Sequence, residues 1–338
     1  MKLKKTFKGD QEMDRREFLK KSGQAALAIS AGLTLEEVLS GCAGPGPLQR
    51  EQAPVVYPPL KGHKVQPPAN GCFIGFGEGK TPIESYAKYK HLVVKDPYLF
   101  VLQSIMTTRQ MVSEIMEVPG VPVVQLGLLH SRCEDVISGK SDSYLKQFAQ
   151  GSVEYGKQHG GFFMSPMWEM NLPAKDSWAW AGQPTQFRKA WRHIWQIFED
   201  QGANEYATWA IEYHVLGPLP EYDPGSKYVD WIGLSAYARA SHPTYRSLDE
   251  LIREPYNYFR SRYPNKPLML EEFGTTNGYK QPMWLQDAYQ TIKKLTGIKA
   301  AICWNVVDYQ VRDDDTLSQQ SFQTLKEIFK DPYWITAK

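Results

Sequence analysis

From Gly71 onward the chain alternates short runs of apolar, β-branched and aromatic residues with longer stretches whose apolar positions recur every three to four residues. The short runs predict strands at 72–77, 98–104, 121–127, 161–167, 206–211, 229–235, 267–271 and 299–304. Between them, helices are expected over 142–158 (Tyr144, Leu145, Phe148, Val153), 185–201 (Phe187, Trp191, Ile194, Phe198) and 284–296 (Leu285, Ala288, Ile292, Leu295). Strands that run apolar throughout and alternate with helices belong to parallel sheets covered on the outside. Eight of them within about 260 residues predict a single α/β domain, a (β/α)₈ TIM barrel over 71–338. An open doubly wound sheet is the competing arrangement, but Gly75-Phe76-Gly77-Glu78-Gly79 lacks the spacing and the helix start of a dinucleotide-binding loop.

The first 70 residues follow a different pattern. A basic, polar stretch to Lys21 precedes a weakly apolar run, Ala25 to Leu33, too short to span a membrane. Asp14-Arg15-Arg16-Glu17-Phe18-Leu19-Lys20 resembles a twin-arginine export signal, and Leu39-Ser40-Gly41-Cys42 resembles a bacterial lipobox. That resemblance implies a signal over 1–42, lipidation of Cys42, and a mature protein anchored to a membrane at the cell envelope without spanning it. Residues 43–70, with seven prolines and no clear period, read as an extended linker. With Cys42 lipidated, Cys72, Cys133 and Cys303 are an odd number, which argues against a disulfide framework.

Charge removes one class of partner. The 39 Lys and Arg residues against 37 Asp and Glu leave a formal charge of +2, with many of the basic residues in the first 21 positions, so nucleic acid is not expected to bind. The 10 Trp and 19 Tyr residues suit either a core or the stacking of sugar rings. His130, His193 and His214 show no metal-ligand spacing, and no metal or organic cofactor is expected.

In a barrel, chemistry collects where strands end in the loops of the C-terminal face. Glu169 follows the run Phe162 to Trp168 and Glu272 follows Pro267 to Glu271, at the ends of strands four and seven, which face one another across the mouth. Two such carboxyls are what glycosidic cleavage requires, one to protonate the leaving oxygen and one to meet the cation developing at the anomeric carbon. Glu271, the neighbour of Glu272, is expected to point elsewhere by strand alternation and to be structural, and Glu212 after Trp209-Ala210-Ile211 is a further candidate for the mouth.

Trp168-Glu169-Met170-Asn171, Tyr228 to Tyr237, and Lys266-Pro267-Leu268-Met269-Leu270-Glu271-Glu272-Phe273-Gly274 resemble signatures of glycoside hydrolase family 26, the β-mannanase family. Ile137-Ser138-Gly139-Lys140 and Ala190-Trp191-Arg192-His193-Ile194 extend the likeness over most of 71–335. The resemblance implies a retaining endo-β-glycan hydrolase acting on β-linked polysaccharide, and a monomer is expected. It makes Glu169 the acid/base and Glu272 the nucleophile, with Tyr237 hydrogen-bonded to it. Trp304 becomes the floor under the sugar, and Trp168, Asn171, Trp178 and Trp180 further substrate contacts. Ser165, Trp168 and Leu172 stand where the family has Arg, His and Gly. Substrate therefore stays open between mannan, β-glucan, xylan and the producer's own exopolysaccharide, and a catalytically silent carbohydrate-binding lipoprotein is the alternative from another class.

Overall fold

A computed structural model describes residues 56–77, 99–104, 120–128, 131–173, 178–238, 246–275, 281–304 and 319–336. The expected signal over 1–42, with Cys42 and the first part of the linker, lies outside the described residues, as does His130.

The strands are β1 (Cys72–Gly77), β2 (Leu99–Ser104), β3 (Val121–Leu126), β4 (Phe162–Pro166), β5 (Ala207–His214), β6 (Trp231–Ala238), β7 (Leu268–Thr275), β8 (Ile298–Trp304) and the short β9 (Trp334–Ile335). The helices are α1 (Cys133–Ile137), α2 (Asp142–His159), α3 (Pro184–Asp200), α4 (Leu248–Arg262), α5 (Gln281–Lys294) and α6 (Gln319–Ile328). Each of β1 to β8 pairs in parallel with the next. Pairing of β8 with β1 and of β1 with β2 closes the ring, so the expected (β/α)₈ barrel is the fold. β9 adds to the start of β1, Trp334 opposite Cys72.

Alternation along the strands divides the apolar residues into two sets. Ile74, Val124, Met164, Trp209, Leu234, Leu270 and Ala301 face outward to the helices. There α3, with Pro pre-set at its first turn, buries Phe187, Trp191, Ile194 and Phe198. Trp191 and Phe198 meet Trp209 edge-on at centroid distances of 5.5 and 5.2 Å. Phe73, Val123, Phe163, Ala210, Trp231, Met269, Ala300 and Ile302 fill the barrel interior.

The interior is closed at the N-terminal end of the strands by residues assigned to the linker from sequence. Val65 is 7% exposed within the interior cluster, and its amide donates to Thr208 Oγ1 at 2.8 Å. Lys64 pairs with Asp230 at 2.7 Å, and Tyr57 donates its hydroxyl to the Gly297 carbonyl at 3.2 Å. The domain thus takes in residues at least as early as Tyr57. The correction has a plain cause: Pro content reads as a spacer, while the few apolar residues that plug the barrel carry no period. His193 Nε2 bonds Asp142 at 2.7 Å, tying α3 to α2 as a packing residue. Cys72, Cys133 and Cys303 are separate buried free thiols.

Candidate active site

Going up the barrel interior, apolar residues give way to polar ones at the same strand parity. Val121 and Val123 lead to Gln125 in β3, Phe163 to Ser165 in β4, Ala210 to Glu212 in β5, Trp231 to Gly233 and Ser235 in β6, and Met269 to Glu271 in β7. All lie toward the C-terminal ends, where barrel chemistry is found.

Glu272 reaches this layer through an irregularity. Leu234 of β6 stands opposite Leu270, yet the next residue, Ser235, stands opposite Glu272, and a matching slip separates β7 from β8 between Leu270 and Phe273. Such a bulge sets two residues against one and breaks the alternation. Glu271 and Glu272 are both buried, 0% and 5% exposed, and both address the interior polar groups. The expectation that Glu271 turns away is overturned, because it assumed an unbroken pleat.

The Glu272 carboxyl is held at both oxygens. Tyr237, partly buried at the end of β6, donates its hydroxyl to Oε2 at 2.6 Å, and Gln125 Nε2 donates to Oε1 at 2.7 Å. Burial and then the Glu169 charge raise its pKa to about 8, against the pull of these two donors. Burial and the adjoining Glu272 charge hold the Tyr237 phenol well above its ordinary range, so it stays a donor.

Glu169 stands on the turn after β4, half-buried, with its own φ at 50° and that of Met167 at 55°. Left-handed backbone is unfavourable for non-glycine residues and is found where surrounding structure enforces it, often at functional sites. The turn is enforced here by Met167 N to Leu126 O at 3.1 Å and Trp180 Nε1 to Trp168 O at 2.8 Å. Ser235 Oγ donates to Glu169 Oε1 at 2.5 Å and Trp178 Nε1 to Oε2 at 3.3 Å, so side chains from β6 and from the loop between β4 and α3 aim the carboxyl.

The other expected contacts divide. Trp304, partly exposed at the end of β8, lies over Gly77 of β1, where any Cβ would overlap its six-membered ring. Trp178 touches Glu169 and stacks on Trp180 at 5.4 Å, 7° from parallel. Trp168 and Trp180 are 1% and 0% exposed in the same indole cluster, so neither offers a face to a sugar. They brace the turn that carries Glu169. Asn171 also departs from its expected role. Its amide exchanges two 2.9 Å bonds with the backbone of His214 and is 1% exposed, so it ties the post-β4 turn to β5.

Gln125, Ser235 and His214 were not singled out as site residues from the sequence. The signal for Gln125 was a lone polar residue at the inward parity of an otherwise apolar strand. His214 Nδ1 accepts from the Leu216 amide at 3.2 Å, which leaves its proton on Nε2, and burial lowers its pKa against the attraction of Glu169. Among the described residues no cluster of His, Cys, Asp and Glu has the arrangement of a metal site.

No family model matches the chain. Over an alignment of 187 residues that covers 50% of this chain, it is 27% identical to endoglucanase H of Acetivibrio thermocellus, of which the match takes in 20%. The chain thus spans about a fifth of that relative. Among solved structures it resembles the catalytic domain of the GH26 endo-β-1,4-mannanase of Bacillus sp. JAMB-750, with a TM-score of 0.61 at 13% identity over 79% of this chain and 87% of that one. The GH26 domain of the Prevotella bryantii endo-β-mannanase/endo-β-glucanase gives 0.59 at 14% identity, covering 79% and 91%. A Bacillus subtilis mannanase gives 0.60 at 14%, covering 79% and 87%. The chain therefore shares the (β/α)₈ fold of these glycoside hydrolases.

Proposed function

We propose that the chain is a glycoside hydrolase of the family 26 type that cleaves β-linked polysaccharide inside the chain by double displacement. Glu169 would be its acid/base and Glu272 its nucleophile. The observation that carries the reading is the contrast between two carboxyls at one barrel mouth. Glu272 is nearly buried, with both oxygens taking donors suited to a carboxylate, and Glu169 is half-buried on a strained turn. In the first step Glu169 gives its proton to the leaving oxygen as a Glu272 oxygen bonds to the anomeric carbon. In the second, Glu169 takes a proton from water, which displaces Glu272 and restores both carboxyls. The charges fit this order. Burial is the first cause of the raised Glu272 value and the Glu169 charge the second; a proton on Glu169 removes the second, while Tyr237 and Gln125 continue to stabilise the ionised form of Glu272.

Mannan is the first substrate assignment, supported by the β-mannanase-like motifs and by the mannanases of the same fold. β-Glucan is the second reading. It is favoured by the partial likeness to an endoglucanase and by Trp168, which fills with a buried indole the position expected to hold a hydrogen-bonding His. We also propose, from the sequence of residues 1–42, that the protein is exported and anchored through lipid on Cys42. Incubating the purified domain with mannan, mixed-linkage β-glucan and xylan, and sizing the products by chromatography, tests the enzymatic reading. Oligosaccharides released by the native protein and not by Glu272→Ala are expected. No release from any of the three would overturn it.

A further inference from the structure

Directly beneath Glu272 the barrel holds two carboxyls that the proposed reaction does not use. Glu212 is 1% and Glu271 0% exposed. Glu212 Oε1 and both oxygens of Glu271 are buried with no hydrogen-bond donor, and no cation pairs with either group among the described residues. Two ionised carboxylates left so would each carry a large desolvation cost and repel one another. Room for their approach comes from Gly233, which lies between them on β6. A Cβ there would overlap Glu271 Oε2 and come within 3.2 Å of Glu212 Cα. A proton between the carboxyls supplies the donor that the bare oxygens lack.

Gln125 connects this pair to the reacting carboxyl. Its Nε2 donates to Glu272 Oε1 at 2.7 Å and to Glu212 Oε2 at 3.0 Å, one amide hydrogen for each. The shorter bond goes to Glu272 and the longer to Glu212, the order expected for an ionised and a neutral acceptor.

We propose that Glu212 and Glu271 hold one proton between them, and that Glu212, neutral because of it, is a positioning residue that fixes the Gln125 amide on the Glu272 carboxylate. The role of Gln125 in catalysis rests on Glu272 being the nucleophile, whereas the shared proton does not. The charged and titratable groups facing the pair agree. Burial, then the charges of Glu271, Glu272 and Glu169, hold Glu212 well above the carboxylate range. Burial also raises Glu271, to about 7. The longer Gln125 bond to Glu212 places the shared proton on that member of the pair. An ionised Glu212 would compete for the Gln125 amide and set a second negative charge beside Glu272.

The test uses the full chain with carbon-13-labelled glutamate, as native protein and as Glu212→Gln and Glu212→Met. Gln mimics the neutral acid, and Met fills the space without an acceptor. Carboxyl NMR across a pH titration is expected to show one glutamate that keeps its proton to higher pH than Glu271 and Glu272, and that signal should be absent from Glu212→Gln. The Glu272 midpoint should stay in place in Glu212→Gln and rise by about one pH unit in Glu212→Met. On the substrate that the native protein cleaves, Glu212→Gln should keep kcat within about 3-fold. Glu212→Met should lose about 10-fold or more in kcat with KM little changed, the worth of one charge-assisted hydrogen bond. If the glutamate signal that keeps its proton to the highest pH does not disappear in Glu212→Gln, the shared proton is refuted. An unmoved Glu272 midpoint in Glu212→Met, or activity in Glu212→Gln as low as in Glu272→Ala, refutes the positioning role. A native protein that cleaves nothing defeats the glycosidase reading alone, because both titration results remain decisive for the pair.

Discussion

Tyr237 at the end of β6 donates its hydroxyl to Glu272 at the bulge of β7 across 2.6 Å, and the bond exists only because the bulge turns Glu272 to the parity of its neighbour. A donor on a buried carboxyl favours the ionised form. Tyr237→Phe removes that donor while keeping the ring, so the ionisation of Glu272 should move to higher pH. The acidic limb of the kcat/KM profile is expected to shift upward by about one unit, with a loss of about 10- to 100-fold below it. An unchanged pH–rate profile would show that the bond has no bearing on the reacting group.

The buried carboxyls also make stability depend on pH. Glu212, Glu271 and Glu272 all have folded-state pKa values raised above the ordinary 4.5, to about 7 for Glu271 and about 8 for Glu272. The folded state then binds more protons than the unfolded one between about pH 4.5 and 8, so their contribution is fully present at the acid end and declines as pH rises through that window. The domain should melt at a higher temperature at pH 5 than at pH 8, and Glu212→Gln should flatten the slope. Calorimetry that finds the domain most stable at pH 8 would contradict the assignment of raised values.

Glu169 separates from Glu272 by its dependence on the leaving group. Glu169→Ala should slow cleavage of unactivated polysaccharide by several orders of magnitude, yet affect aryl glycosides with good leaving groups much less, since these depart without a proton. Glu272→Ala should abolish both. Equal losses on the two substrates in Glu169→Ala, measured as kcat/KM, would remove Glu169 from the acid role.

Much of this arrangement is legible in the sequence, and the failures have physical causes. The lower halves of the strands are apolar on both faces and were found to within a few residues. β5, β6 and β7 run on to His214, Ala238 and Thr275, past their expected ends, because there the inward side chains turn polar and interrupt the apolar run. The residues that make the site thus hide the strands that carry it. The helix α4 was missed because Pro255 and several charges interrupt a pattern whose buried members are Leu248, Leu251, Ile252, Tyr256 and Phe259. Glu169, Glu272 and Tyr237 were visible through motif and position. The joint inward turn of Glu271 and Glu272 depends on a bulge that no local pattern announces.

Export and anchoring rest on the sequence of the first 42 residues and have their own test. Full-length protein expressed in a bacterium with twin-arginine transport should partition with membranes through high-salt washing, and Cys42→Ser should be released from them. A Cys42→Ser protein that stays with the washed membranes would argue against a lipid on that residue.

The central claim is that Glu169 and Glu272 act by double displacement, which requires their carboxyl groups about 5–5.5 Å apart, with no room for water between nucleophile and sugar. Proton NMR of the first product formed, recorded before mutarotation, reads this outcome directly. The account predicts that the anomeric proton of the new reducing end appears first in the β configuration of the bond that was cut. An initial α product would mean direct attack by water and would contradict it, even if both carboxyls proved essential.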